Sequence, residues 1–197
     1  MFDLWETLAL WPAARTSELF HELAEHLGGV DWADTYVERM TTPLETYYRS
    51  LGADTALAAE LAAARTAFTR EILAPREGAV ETLDELRRRG FRLGLISVCS
   101  EDVCLVWDET DFAGRFDAAV FSAACGLMKP DPRIYLRVCD ELGVEPGECL
   151  YVGDGANDEL AGARSVGMRP VLIHSERENP EWDGPRITSI PDVLDLV

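Results

Sequence analysis

Two hydrophobic rhythms divide the chain. From Trp11 to about Pro75, apolar positions recur at the three-to-four-residue spacing of amphipathic helices. Residues 17–27 (SELFHELAEHL) form one such stretch and stop at Gly28-Gly29, a helix C-cap signal. Residues 31–40 and 44–51 give a second and a third helix. Residues 54–73 give the clearest one, Ala-rich, with Leu57, Leu61, Ala64 and Phe68 along one face. After Pro75, short apolar runs alternate with helical ones. Strands are predicted over 91–96, 116–121, 149–152 and 170–173, with helices over 78–89, 101–110, 132–142, 158–166 and a short closing one over 191–197.

Strand–helix alternation with short links predicts an α/β fold with a doubly wound parallel sheet. An all-helical insert occupies residues 10–76, and the α/β core is residues 1–9 and 77–197. In such sheets ligands sit outside the carboxyl ends of the strands. Asp3, Ser97, Lys129 and Asp154 all fall at or just after such an end, so this topology would gather them in one crevice. Only Met1-Phe2 precede Asp3, whereas a mean strand has about five to six residues. The expectation is therefore that a chain extended upstream melts at a higher temperature. Residues 176–185 read as an acidic surface loop.

Charge narrows the function. The 197 residues carry a formal net charge of −18, which repels nucleic acid and anionic membranes. Any site for an anionic substrate must bring its own positive charge. The basic residues are 17 Arg and a single Lys, Lys129, and a compact ammonium is not interchangeable with a planar guanidinium at a crowded anion site. Five cysteines without a CxxC pair support neither zinc ligation nor a disulfide framework. No apolar run approaches the roughly 18 residues of a membrane span, and the N-terminus lacks a signal-peptide pattern. The reading is a cytoplasmic protein with no nucleic-acid or membrane partner.

Four separated motifs carry a resemblance. They are Phe2-Asp3-Leu4-Trp5-Glu6-Thr7-Leu8, Ser97 closing an apolar strand, Lys129-Pro130 within Gly126–Tyr135, and Gly153-Asp154-Gly-Ala-Asn-Asp158-Glu159. In this order and spacing the chain resembles the haloacid dehalogenase-like (HAD) hydrolase superfamily, in its cap-bearing subfamily I. The resemblance implies a Rossmann-like core with the helical insert as its cap, a Mg²⁺ cofactor and a small phosphorylated metabolite as substrate. Asp3 would be the nucleophile, forming an aspartyl-phosphate. Lys129 would hold Asp3 ionised and neutralise the phosphoryl group. Ser97 would bind a phosphate oxygen, helped by the N–H groups of Val98 and Cys99. Asp3, the Trp5 carbonyl, Asp154 and either Asp158 or Glu159 would ligate the metal; the spacing leaves those two open.

The chain also departs from the family pattern. Trp5 stands where the phosphatases carry an Asp general acid, and indole cannot exchange protons in catalysis. Glu6 follows where Gly is usual and is a candidate replacement acid. Three readings result: a phosphatase slowed on poor leaving groups, a dehalogenase-type hydrolase, or a catalytically impaired binder of a phosphorylated ligand. Substrate identity and oligomeric state are not encoded in these motifs. The insert also carries Trp11, Arg15, Tyr36, Arg39, Tyr47 and Tyr48, none of which the sequence singles out.

Overall fold

The computed structural model describes residues 1–175 and 181–197. Residues 176–180 of the predicted acidic loop lie outside the described residues. Four helices come first: α1 (Ala13–His26), α2 (Tyr36–Thr41), α3 (Leu44–Ser50) and α4 (Thr55–Ile72). The alternating part follows as α5 (Ala79–Arg88), β1 (Gly94–Ser97), α6 (Glu101–Val106), β2 (Ala118–Phe121), α7 (Ser122–Cys125), α8 (Pro132–Leu142), β3 (Leu150–Gly153), α9 (Glu159–Ser165), β4 (Arg169–Ile173) and β5 (Arg186–Ile187). No helix among the described residues is long and apolar enough to cross a membrane.

The sheet is parallel throughout. β2 pairs with β1, and β3 with β4 and β4 with β5. Phe2 joins the two halves through parallel bridges to Leu95 and Val152. Its N–H donates to Gly94 O at 2.9 Å, its carbonyl accepts from Ile96 N at 2.9 Å, and Asp3 N donates to Val152 O at 2.9 Å. The predicted first strand is thus a bridge at the centre of the sheet. Strand residues alternate between two cores, as a pleat requires. Leu95, Val152, Val171 and Ile173 pack with Leu83, Leu86 and Val103 on one face. Ile96, Tyr151 and Leu172 pack with Ile134, Val138 and Leu160 on the other. The result is three layers, and with them the doubly wound arrangement expected from the alternation.

The helical insert has its own apolar cluster of Leu23, Leu44, Tyr47, Tyr48, Ala58 and Leu61. The chain leaves the sheet near Ala9 and returns at Pro75, and these two residues form an antiparallel bridge. Arg76 reinforces the junction, donating its backbone N–H to Leu8 O at 2.8 Å and its guanidinium to Glu6 O at 3.1 Å.

Several boundaries differ from expectation. The helix predicted over 31–40 begins only at Tyr36, because the Asp31 carboxylate accepts from Ala33 N at 2.9 Å and holds a turn instead. The helix predicted over 101–110 stops at Val106 and tightens to a 3₁₀ turn, and the closing segment Ile190–Asp195 is likewise 3₁₀. α1 begins four residues earlier than the sequence suggested. In α4 the buried stripe runs Ala58, Leu61, Arg65, Thr69, Ile72, whereas Ala64 of the predicted face is exposed. Two polar residues inside that stripe hide it from a count of apolar positions.

Close packing of α9 onto α8 depends on Gly162. A Cβ there would meet Tyr135 Oη at 2.6 Å and Pro130 Cβ at 3.0 Å, and the Tyr135 hydroxyl is fixed by donating to Glu159 O at 2.9 Å. Gly162→Ala should therefore destabilise the protein by about 1–3 kcal/mol, read as a lower urea midpoint at unchanged slope. An unaltered midpoint would show that α9 can shift freely.

Candidate active site

Asp3 follows the central bridge, Ser97 ends β1, Asp154 follows β3, and Lys129 lies beyond β2 and α7. Parallel strands bring these ends to one edge of the sheet, and the structure brings three of the four together. Asp3, Lys129 and Asp154 line a common cavity of ≈ 230 Å³ between the insert and the core. Asp3, Lys129, Asp154 and Glu159 are all buried, at 6%, 5%, 4% and 0% exposure.

The Lys129 ammonium donates to Asp3 Oδ1 and to Glu159 Oε2, and reaches Tyr151 Oη at 3.2 Å. Tyr151 in turn donates to Glu159 Oε2 at 2.7 Å, and Gly155 N donates to Glu159 Oε1 at 2.9 Å. Asp154 Oδ1 accepts from Ala156 N at 3.2 Å. One carboxylate oxygen from each of Asp3, Asp154 and Glu159 lies within 4.8 Å of the others. These are hard, anionic oxygens in a group small enough to surround one divalent ion, so the residues present fit a Mg²⁺ site.

Burial and crowding set the electrostatics. Burial pushes the Asp3 carboxyl up to about 7; Lys129 opposes the rise, while Glu159 and Asp154 add to it. Burial alone would favour a neutral Lys129, but the Asp3 and Glu159 carboxylates outweigh it and hold the ammonium pKa above the ordinary lysine value. Burial likewise drives the Tyr151 hydroxyl far up, so it stays a donor to Glu159.

Of the two candidate second acids, Glu159 belongs to the buried group and Asp158 is exposed. The cause is local backbone. Asn157 and Asp158 both take left-handed conformations (φ 53° and 52°) in a 3₁₀ turn, so α9 starts at Glu159, whose side chain turns inward. Ser97 is buried, and its Oγ has no hydrogen-bond partner among the described residues. It does not itself line the cavity, although Val98, Cys99 and Ser100, which follow it, do. The expected phosphate contact from the Cys99 N–H meets a competitor, since that group donates to Ser122 Oγ at 3.0 Å.

Trp5 lines the cavity with its ring edge-on to Trp11, centroids 4.8 Å apart. Glu6 turns elsewhere. It has φ 62°, and its Oε1 accepts from Trp11 N at 2.9 Å in a separate cavity with Arg15 and Glu71. In this arrangement the Glu6 carboxylate is held outside the cavity that Asp3 and Lys129 line. Sequence reasoning missed two contributors, Tyr151 and Arg65. Tyr151 looked like ordinary strand filling, and Arg65 interrupts an apolar stripe.

Comparison with known proteins gives the family. The profile of the haloacid dehalogenase-like hydrolases matches residues 1–167, and the chain belongs to that family. A glyceraldehyde 3-phosphate phosphatase of Methanothermobacter thermautotrophicus is 31% identical over 133 residues, covering 64% of this chain and 58% of that protein. An (S)-2-haloacid dehalogenase 4A of Burkholderia cepacia is 32% identical over 106 residues, covering 54% and 46%. The chain thus spans about half the length of these curated relatives. In fold, it resembles a HAD phosphatase from Thermococcus onnurineus, with TM-score 0.71, 20% identity and 99% and 95% of the two chains covered.

Lys129 neutralises two buried carboxylates, and its removal should be costly. Lys129→Met should lose about 3–5 kcal/mol of stability in urea at pH 8, where Asp3 and Glu159 are driven to ionise unpaired. The loss should shrink at pH 5, where a carboxyl whose folded pKa is raised to about 7 holds its proton. Equal losses at both pH values would contradict this electrostatic account.

Proposed function

We propose that this protein is a Mg²⁺-dependent phosphoester hydrolase in which Asp3 is the nucleophile. The observation that carries the reading is that Asp3, Lys129 and Asp154 line one cavity, with Glu159 buried behind them within reach of the same group. In it, residues 1–9 and 77–197 supply the reacting groups, and 10–76 act as a cap that walls the cavity. The substrate class is a small phosphorylated metabolite, and the setting cytosolic.

Asp3 would attack phosphorus, forming an aspartyl-phosphate while the ester oxygen leaves with the bonding electron pair; water then releases inorganic phosphate and regenerates the carboxylate. Lys129 would keep Asp3 ionised and balance charge on the phosphoryl oxygens. Asp3, Asp154 and Glu159, with the Trp5 carbonyl, would hold the metal, which supplies positive charge to the transferring group when bound. The Ser97 hydroxyl, without a hydrogen-bond partner among the described residues, is the candidate donor to a phosphate oxygen. Glu159 also grips Lys129, so it serves as much to aim the ammonium as to ligate.

Proton supply to the leaving group is the weak point, since Trp5 cannot act and Glu6 is engaged with Trp11. Turnover should therefore depend steeply on leaving-group acidity. In single-turnover assays an aryl phosphate should give a Mg²⁺-dependent burst of phenol that Asp3→Asn abolishes. No burst at any Mg²⁺ concentration would favour the impaired, ligand-binding reading. Halide release from a 2-haloacid in the presence of a chelator would favour the dehalogenase reading. Trp5→Asp should raise the rate on alkyl phosphates by up to about 10²–10⁴, and raise the aryl rate far less. Equal gains on both would contradict a missing general acid.

Metal binding should carry the signature of the raised Asp3 carboxyl. Mg²⁺ must displace a proton from a group titrating near pH 7, so apparent affinity should rise from pH 5.5 to 8 and then level off. Trp5 fluorescence can follow the titration, and a pH-independent affinity would count against Asp3 as a ligand.

A further inference from the structure

The cavity holds two buried cations that the reaction above does not use. Arg39 from α2 and Arg65 from α4 both line it, at 8% and 3% exposure. Arg65 is balanced: its Nε donates to Asp102 Oδ2 at 3.0 Å, and Asp102 also accepts from Thr69 and Ser100. Arg39 has no carboxylate partner among the described residues. Its one polar contact is Trp32 O at 3.5 Å, at the outer limit of a hydrogen bond. Arg39 Nε and Arg65 Nη1 are buried with no hydrogen-bond partner among the described residues.

Aromatic rings hold the pair in place. Both guanidinium carbons lie 4.8 Å from the Phe20 centroid, and Arg39 also faces Tyr36 at 5.7 Å and Trp32 at 5.9 Å. Ring faces attract a cation but take none of its N–H donors. Two like charges are thus packed side by side in a dry wall, one of them uncompensated, in a chain of net charge −18. Burying a charge without a partner is costly, and the cost is relieved when an anion enters.

We propose that Arg39 and Arg65 form a second anion subsite, selecting a small phosphoester whose leaving group bears another oxyanion, a carboxylate or a phosphate. The proposal rests on the phosphoester hydrolase reading for the reacting end. Lys129 and the metal serve the transferring phosphate, and the guanidiniums serve the far end with fork geometry suited to an oxyanion. A cavity of ≈ 230 Å³ is below the roughly 300–1,000 Å³ of drug-sized pockets, which suits a compact ligand with two charged ends.

The test uses three aryl phosphates with similar leaving groups: 3-carboxyphenyl phosphate, 1,3-phenylene bisphosphate and the neutral isostere 3-hydroxymethylphenyl phosphate. Wild type should favour one of the two anionic probes over the isostere by about ten- to a hundredfold in kcat/KM. Which of the two gains more identifies the oxyanion. Arg39→Met should erase the preference, and Arg39→Lys should keep part of it. Each ratio is taken within one protein preparation, so a variant that folds incompletely does not distort it. Equal kcat/KM for all three probes in wild type, or an unchanged preference in Arg39→Met, would overturn the subsite while leaving the hydrolase reading intact. If no probe is hydrolysed, the hydrolase reading fails, and calorimetric Kd values for the same probes decide the subsite by the same ratios.

Discussion

The Lys129 ammonium bridges Asp3 and Glu159 in a space from which water is largely excluded, and the rest of the site is arranged around that contact. Three carboxylates cannot share a buried pocket without positive charge. One ammonium offsets part of theirs; the Asp3 carboxyl is raised first by its burial, and the Glu159 and Asp154 charges left over add to the rise. The shortfall is itself informative, because a divalent ion among the same oxygens would remove it. Tyr151 and the Gly155 N–H then fix Glu159, so that the ammonium is held from behind and aimed at Asp3. A flexible, exposed lysine would satisfy neither condition.

The fold exists to make this contact possible across 126 residues of sequence. A parallel sheet presents the ends of all its strands at one edge, and Phe2 sits between β1 and β3 where the two halves meet. Asp3 consequently emerges at the centre, with Ser97 on one side and Asp154 on the other. The helical insert leaves and returns at a single bridge between Ala9 and Pro75, and so lies over this edge as the other wall. Its contribution is not neutral filling. Its two guanidiniums, Arg39 and Arg65, line the same cavity as Asp3 and Asp154, and the Asn157–Tyr36 contact at 3.3 Å ties the insert to the core.

Much of this was legible in the sequence, and the exceptions have physical causes. Asp3, Lys129 and Asp154 could be located because each follows an apolar strand, and strand ends are marked by short runs that periodicity detects well. The family of the chain was legible for the same reason. Glu159 could not be separated from Asp158, because the decision lies in two left-handed residues, Asn157 and Asp158, that shift the start of α9 by one position. Side-chain direction at Glu6 was equally hidden, since it follows from a positive φ rather than from residue type. Arg65 was missed because a buried arginine inside a helix stripe looks like a solvated position until its partner Asp102, 37 residues away, is seen.

The most direct test of the central claim is a crystal structure with Mg²⁺ and beryllium fluoride, which mimics a phosphoryl group on a carboxylate. The account predicts beryllium on an Asp3 oxygen, the metal shared by Asp3 and Asp154, and the Lys129 ammonium against fluoride. Beryllium fluoride bound away from Asp3, or a metal that leaves Asp154 untouched, would contradict it.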